Sequence, residues 1–193
     1  MPTLYLIRHA KPAASWGQDP DPGLDPTGIA QAAATAHELI ARVARRLPVL
    51  TSPLRRCRET AVPLEREWQT SAAIFPAVAE IPAPPLGLAE RHEWLLAAMA
   101  GSWQNMQATA PPNSPDYHAW RSGLLQALTA LRQDTVIYTH FIAINAVVGA
   151  ARGLDEVVCF RPDHASTTII DTDGEQLQII ATGREAATSV LTR

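Results

Sequence analysis

The chain predicts an α/β fold, a three-layer α/β/α sandwich with a mostly parallel sheet and a helical lid insertion. Two observations carry that prediction. Short runs rich in branched apolar residues, at 4–7, 47–51, 74–81 and 135–139, alternate with longer helical patterns, as strands and crossover helices do. Several of these runs also end on charged or titratable residues, and that end of a strand is where open α/β sheets bind ligands.

The elements follow in order. Leu4-Tyr5-Leu6-Ile7 reads as a buried strand running into Arg8-His9. Residues 19–26, dense in Pro, Asp and Gly, are irregular. An alanine-rich helix spans 27–46, with Ile29, Ala33, Ala36, Leu39, Ile40 and Val43 as its apolar face. A second strand covers 47–51. Ser52-Pro53 then reads as an N-cap serine with proline at the first helical position, opening a helix to Trp68. A third strand runs from Ile74 to Ile81 and ends in Glu80.

Between residues 82 and 133 the character changes. Pro82, Pro84 and Pro85 precede a helical pattern at 88–107, and Pro111, Pro112 and Pro115 separate it from a second at 116–132. This stretch reads as a lid over the sheet's carboxyl edge, inserted within a single domain of residues 1–193. A strongly β-branched strand at 135–139 leads directly into His140 and an apolar helix to Ala151. Strand signals at 157–160, 166–171 and 177–181 close the chain, with Asp171-Thr172-Asp173-Gly174 as a hairpin turn.

Composition bounds the function. A net charge of −3 gives no footprint for nucleic acid. No apolar run is long enough to cross a bilayer, so no membrane partner is expected. Met1-Pro2-Thr3 enters the first strand without the basic and long apolar regions of a signal peptide. Two cysteines, Cys57 and Cys159, suit a reducing cytoplasm. The six histidines lack His-x-x-x-His or Cys-x-x-Cys spacing, so neither a metal nor another cofactor is expected. Oligomeric state is not legible in the letters.

Arg8-His9, Arg56, Glu80 and His140 share one predicted position, at the carboxyl end of a strand or the amino end of the next helix. Two arginines clamp a phosphoryl group with forked, charge-assisted hydrogen bonds. A neutral imidazole attacks phosphorus and splits one hard transfer into two. The second histidine donates to the same oxygens if protonated, although its helix N-terminus favours an anion over imidazolium. A carboxyl kept protonated by burial hands its proton to the leaving oxygen. Glu90 and Glu93 are alternatives to Glu80 for that task.

Those residues resemble the histidine phosphatase (phosphoglycerate mutase-like) superfamily. Leu6-Ile7-Arg8-His9-Ala10 is similar to its Arg-His-Gly opening, and Leu24 to Ala32 to its Leu-x-x-x-Gly-x-x-Gln-Ala helix start. Ser52 to Ala61 matches Ser-Pro-Leu-x-Arg-x-x-x-Thr-Ala, which singles out Arg56 and not Arg55. Tyr138-Thr139-His140 matches the second histidine. The resemblance runs from residue 4 to about 170. It implies that His9 is phosphorylated, that Arg8, Arg56 and His140 hold phosphate, and that Glu80 is the proton donor.

The chain also departs from the pattern. Phe141 replaces the glycine that follows the second histidine, leaving a backbone amide for phosphate but a ring that must turn away or narrow the pocket. Ser15 stands where the family often has asparagine, and its hydroxyl is a further candidate phosphate contact. No Trp-Glu-Gly segment follows Glu80, which weakens a mutase reading. His37, His92, His118 and His164 read as surface or structural histidines, and Cys57 as packing. The expectation is a cofactor-free phosphomonoesterase acting on a small phosphate ester through a phosphohistidine. The rivals are a phosphomutase and a catalytically silent phosphate binder.

Overall fold

The structure, a computed structural model, describes residues 1–14 and 18–186. Six strands form one sheet: β1 (Thr3–Arg8), β2 (Val49–Thr51), β3 (Ala73–Ile74), β4 (Thr135–Thr139), β5 (Thr167–Thr172) and β6 (Leu177–Ala181), in the order β3-β2-β4-β1-β5-β6. The first four run parallel, whereas β5 and β6 pair antiparallel. Helices α1 (Pro26–Arg42) and α2 (Arg55–Trp68) precede β3. Helices α3 (Leu88–Met99), α4 (Trp103–Ala108), α5 (Tyr117–Thr129) and α6 (Phe141–Arg152) complete the described elements, with a 3-10 turn at Pro76–Val78.

Alternation along β1 builds the three layers. Leu4 and Leu6 join Ile137 and apolar residues of α3, α4, α5 and α6 in one core cluster. Ile7, with Val136 and Tyr138, joins Ala36, Leu39, Cys57, Ala61 and Leu64 of α1 and α2 in the other. Successive side chains on a strand face opposite ways, so a strand covered on both faces is apolar throughout. All five residues of β4 are buried accordingly. Each such leucine or isoleucine contributes about 1.5–3 kcal/mol.

Several elements differ from their predicted extent. Helix α1 stops at Arg42 because Val43 turns extended, its N–H still bonded to Leu39 O at 2.9 Å. The linker beyond it is pinned by Arg45 to Asp134 at 2.8 Å. The buried face of α1 is Gly28, Ala32, Thr35, Ala36 and Leu39, and Ile29 is 61% exposed. Gly28 explains the rotation: a Cβ there would stand 2.1 Å from Lys11 O, so the helix meets the first loop through a position only glycine fits.

Strand β3 is two residues long, not eight. Phe75 N–H makes the last ladder bond, to Thr51 O at 2.8 Å, and Pro76 has no N–H to continue it. The 88–107 pattern breaks at Gly101-Ser102, where Ser102 caps α4 by accepting from Asn105 N at 3.1 Å. No strand forms at 157–160. There the N–H groups of Cys159 and Phe160 donate to Asn145 Oδ1 of α6, at 2.9 and 3.1 Å. The β5–β6 hairpin turns about Asp173, whose carboxylate accepts from Glu175 N and Gln176 N, with Gly174 at φ +100°.

Candidate active site

Parallel pairing of β1 with β4 assembles the site. The register sets Arg8 opposite Thr139, and His9 N–H donates to Thr139 O at 2.9 Å. The residues that follow the two strands, His9 and His140, therefore stand side by side, their ring centroids 5.3 Å apart and tilted by 59°.

Arg56 arrives on the first turn of α2. That helix begins at Arg55, and Ser52 is not its cap. Asp21, distant in sequence, accepts from Arg55 N at 2.7 Å and lies 3.9 Å from Arg56 Nη1. The Ser52 hydroxyl is instead 2.7 Å from His140 Nε2. One turn beyond Arg56, Thr60 Oγ1 donates to Arg56 O at 2.6 Å and accepts from Ala10 N at 3.0 Å. Thr60 thereby ties the arginine's helix to the loop after His9.

Each histidine has its tautomer set by a partner with one role. Ala10 O only accepts, so His9 Nδ1 carries the proton given to it at 2.9 Å and Nε2 keeps its lone pair. A guanidinium only donates, so His140 Nδ1 accepts from Arg56 Nη2 at 3.1 Å, leaving Nε2–H to donate to Ser52 Oγ. Burial, reinforced by the Arg56 and Arg8 charges, holds the pKa of both imidazoles well below its usual value, which favours the neutral ring.

Glu80 lies past the 3-10 turn and not at a strand end. Thr139 Oγ1 donates to Val78 O at 2.7 Å, fastening that turn over the end of β4. The Glu80 carboxyl is buried and accepts from Ile81 N at 3.1 Å and Ile142 N at 3.4 Å. Burial raises its pKa against the opposing pull of Arg56.

Arg8 remains a cation, although burial lowers its pKa to about 10. Nη1 donates to Pro162 O at 2.8 Å and Nη2 to His164 Nε2 at 3.0 Å. The Phe141 ring has turned aside, with the Arg8 guanidinium carbon 5.0 Å from its centroid. As the first residue of α6, Phe141 carries one of the backbone N–H groups a helix leaves without an internal partner. Ser15 lies outside the described residues. Cys57 Sγ is 3.3 Å from His140 Nε2 and donates to Thr139 O at 3.3 Å. Burial pushes its thiol pKa up, so it is packing and not an activated nucleophile.

A cavity of about 280 Å³ opens on this group. Pro12, Pro20, Pro22, Pro53, Leu54, Ile81, Pro82 and Leu88 line it beside His9, Arg56 and Glu80, and Asp19 and Arg91 add charge. Arg91 Nε donates to Leu86 O at 2.8 Å. Arg8 and His140 stand behind His9 and Arg56 and do not line the cavity, and neither do Glu90 and Glu93. Among the described residues, no group of three or more His, Cys, Asp or Glu side chains is arranged to hold a metal ion. Nor is any helix long and apolar enough to cross a membrane.

The sequence profile of the histidine phosphatase superfamily (branch 1) matches residues 4–184. The chain belongs to that superfamily. A phosphate-ester substrate and phosphomonoester hydrolysis fit that membership. Among solved structures, a mycobacterial glucosyl-3-phosphoglycerate phosphatase with inorganic phosphate superposes with a TM-score of 0.72 at 20% identity, over 96% of this chain and 98% of that one. A phosphoglycerate mutase from Thermus thermophilus gives 0.66 at 23% identity, over 95% and 99%. Identities this low carry the fold. No curated protein matches the chain.

Sequence reasoning left three participants unassigned. Ser52 was legible within its motif but reads as a cap. Thr60 sits four residues after Arg56, a spacing that shares a helix face. His164 lies in Asp163-His164-Ala165-Ser166, which resembles the lead-in to the family's late strand and reads as structural, and only the sheet topology brings it to Arg8.

Proposed function

We propose that this histidine phosphatase superfamily member is a metal-independent phosphomonoesterase working through a phosphohistidine on His9. The observation that carries the reading is the geometry at His9, whose Nδ1 is 2.9 Å from Ala10 O and leaves Nε2 uncommitted, with the His140 ring 5.3 Å away and Arg56 and Glu80 lining the same cavity. Nε2 attacks phosphorus, and the phosphorus–oxygen ester bond breaks. Glu80 gives its proton to the departing alcohol oxygen. In the second half, water attacks phosphorus, Glu80 takes back a proton, the nitrogen–phosphorus bond breaks and inorganic phosphate leaves. Arg8, Arg56 and the first-turn amides of α6 neutralise the phosphoryl oxygens, which is most of what such a transfer needs. His140, expected from the resemblance to hold phosphate, has both ring nitrogens engaged by Arg56 and Ser52, so its part here is to hold the Arg56 fork.

The cavity supports a small ester with a largely apolar alcohol, since Arg91 is its one lining cation beyond Arg56 among the described residues. Residues 82–133 act as the lid insertion, with Leu88 and Arg91 on its rim of the cavity. The reaction belongs in the cytoplasm, a reading supported by the two free thiols.

The test is release of phosphate from p-nitrophenyl phosphate in EDTA, with acid-quench trapping of label from a radiolabelled ester. Wild-type protein should turn over and trap an acid-labile label, and His9→Ala should do neither. Equal activity in His9→Ala would overturn the proposal. Phosphoryl transfer to an added sugar acid with little hydrolysis would favour the mutase, and absence of both reactions a silent binder.

A further inference from the structure

We propose that His164 is a positioning residue for Arg8, aiming that guanidinium at the phosphoryl group by accepting one of its hydrogen bonds. The inference rests on the phosphatase reading above and concerns a residue that the sequence marks only as structural.

An arginine offers five N–H donors in a rigid planar fork and no acceptor. At Arg8, two of its three nitrogens have acceptors in the protein: Pro162 O at 2.8 Å from Nη1 and His164 Nε2 at 3.0 Å from Nη2. These two bonds fix the plane, and the Phe141 ring covers the guanidinium at 5.0 Å. The third nitrogen, Nε, is buried without a partner. A buried donor on a cation is costly to leave unpaired. Two of the five N–H donors are thus committed to protein acceptors that fix the guanidinium plane, and on the phosphatase reading the fork offers its remaining donors to a phosphoryl oxygen held on His9.

His164 suits this task because its own place is over-determined. It sits in a turn latched onto the end of β1. Arg8 N–H donates to Ser166 O at 3.1 Å, and Ala165 N–H to Arg8 O at 3.1 Å. Thr35 Oγ1 on α1 donates to Ala165 O at 2.7 Å, and Ser166 N–H to Asp163 O at 3.2 Å. Ala165 adopts φ +56°, a left-handed conformation that an alanine takes only where its surroundings hold it. That conformation presents the preceding imidazole to Arg8. Its ring lies 5.7 Å from that of His9.

The acceptor must be a neutral imidazole with its proton on Nδ1, because Arg8 can only donate to Nε2. Burial and the Arg8 charge keep it so, with a pKa lowered to about 4. Asp163 and, further off, Asp25 pull the other way, and Lys11 reinforces Arg8. A neutral amide oxygen at the same reach should therefore replace it, whereas an apolar ring should not.

The experiment compares His164→Phe, which keeps bulk without an acceptor, with His164→Gln, whose amide oxygen reaches the Nε2 position. Steady-state turnover of p-nitrophenyl phosphate is read together with calorimetric binding of inorganic phosphate. His164→Phe should lose about 10- to 100-fold in kcat/KM, the worth of a hydrogen bond to a charged group, with weaker phosphate binding. His164→Gln should recover to within about threefold of wild type. In an Arg8→Lys background the Phe substitution should cost little more, because the residue acts through the fork. If His164→Phe does not fold, His164→Ala takes its place. Wild-type kcat/KM in the Phe variant, no recovery in Gln, or an additive loss on Arg8→Lys would each overturn the assignment. A wild-type protein that neither turns over nor binds phosphate would instead sink the phosphatase reading beneath it.

Discussion

Arg56 Nη2 stands 3.1 Å from His140 Nδ1, a cation donating to an imidazole that its own charge helps to keep neutral. This bond joins the first turn of α2 to the end of β4 and fixes the imidazole's proton on the nitrogen facing Ser52.

Arg56→Lys keeps the charge but loses the planar fork, so one nitrogen cannot serve both His140 and a phosphoryl oxygen. We expect kcat/KM for p-nitrophenyl phosphate to fall at least about 100-fold, the scale of one electrostatic donor in the transition state. Activity within threefold of wild type would refute a role for that fork.

Glu80 should matter in proportion to how much help the leaving group needs. Glu80→Gln should slow an alkyl phosphate by about 10²–10⁴-fold, the usual range for a general acid, and p-nitrophenyl phosphate far less, since p-nitrophenolate leaves unaided. The raised Glu80 pKa extends the active, protonated form upward in pH from 4.5. The alkaline limb of the alkyl-phosphate profile should vanish in the variant. Equal losses on both substrates would remove Glu80 from the acid role.

Stability should decline in acid. His9, His140 and His164 all have folded pKa values below their ordinary 6.5. The unfolded chain then binds protons that the folded chain refuses, and stability present above pH 6.5 is lost as pH falls toward the folded values. Glu80, raised above 4.5, opposes this over its own window because its folded form takes a proton first. Three imidazoles outweigh one carboxyl. Thermal unfolding between pH 7.5 and 5 should show Tm dropping, and His164→Gln should flatten the slope. A Tm that rises toward pH 5 would contradict the buried neutral histidines.

Gly28→Ala should destabilise the fold by about 1–3 kcal/mol, as overpacking does. The added Cβ would meet Lys11 O at 2.1 Å, and a backbone atom cannot swing away like a side chain. Ile29→Ala at the exposed neighbouring position should change little. Urea unfolding of the two variants decides it, and a smaller effect at Gly28 than at Ile29 would invalidate the packing argument.

The letters alone determined the sandwich and named the residues that the fold brings together as the candidate site. Apolar runs such as Leu4 to Ile7 and Thr135 to Thr139 are buried on both faces, so periodicity and β-branching mark them without reference to partners, and Arg8-His9 and His140 follow them directly. Arg56 was legible because its motif is local to one helix start. Only the tertiary structure decided which hydrogen-bond partner each of these groups takes. Asp21 takes the Arg55 N–H at the start of α2 while the Ser52 hydroxyl, which accepts from Leu54 N, meets His140, and a turn more than 150 residues away in sequence delivers His164 to Arg8. The physical reason is range. Burial patterns are written along one strand, whereas the protonation and aim of a charged group depend on whatever polar atoms the folded chain sets within about 3 Å of it.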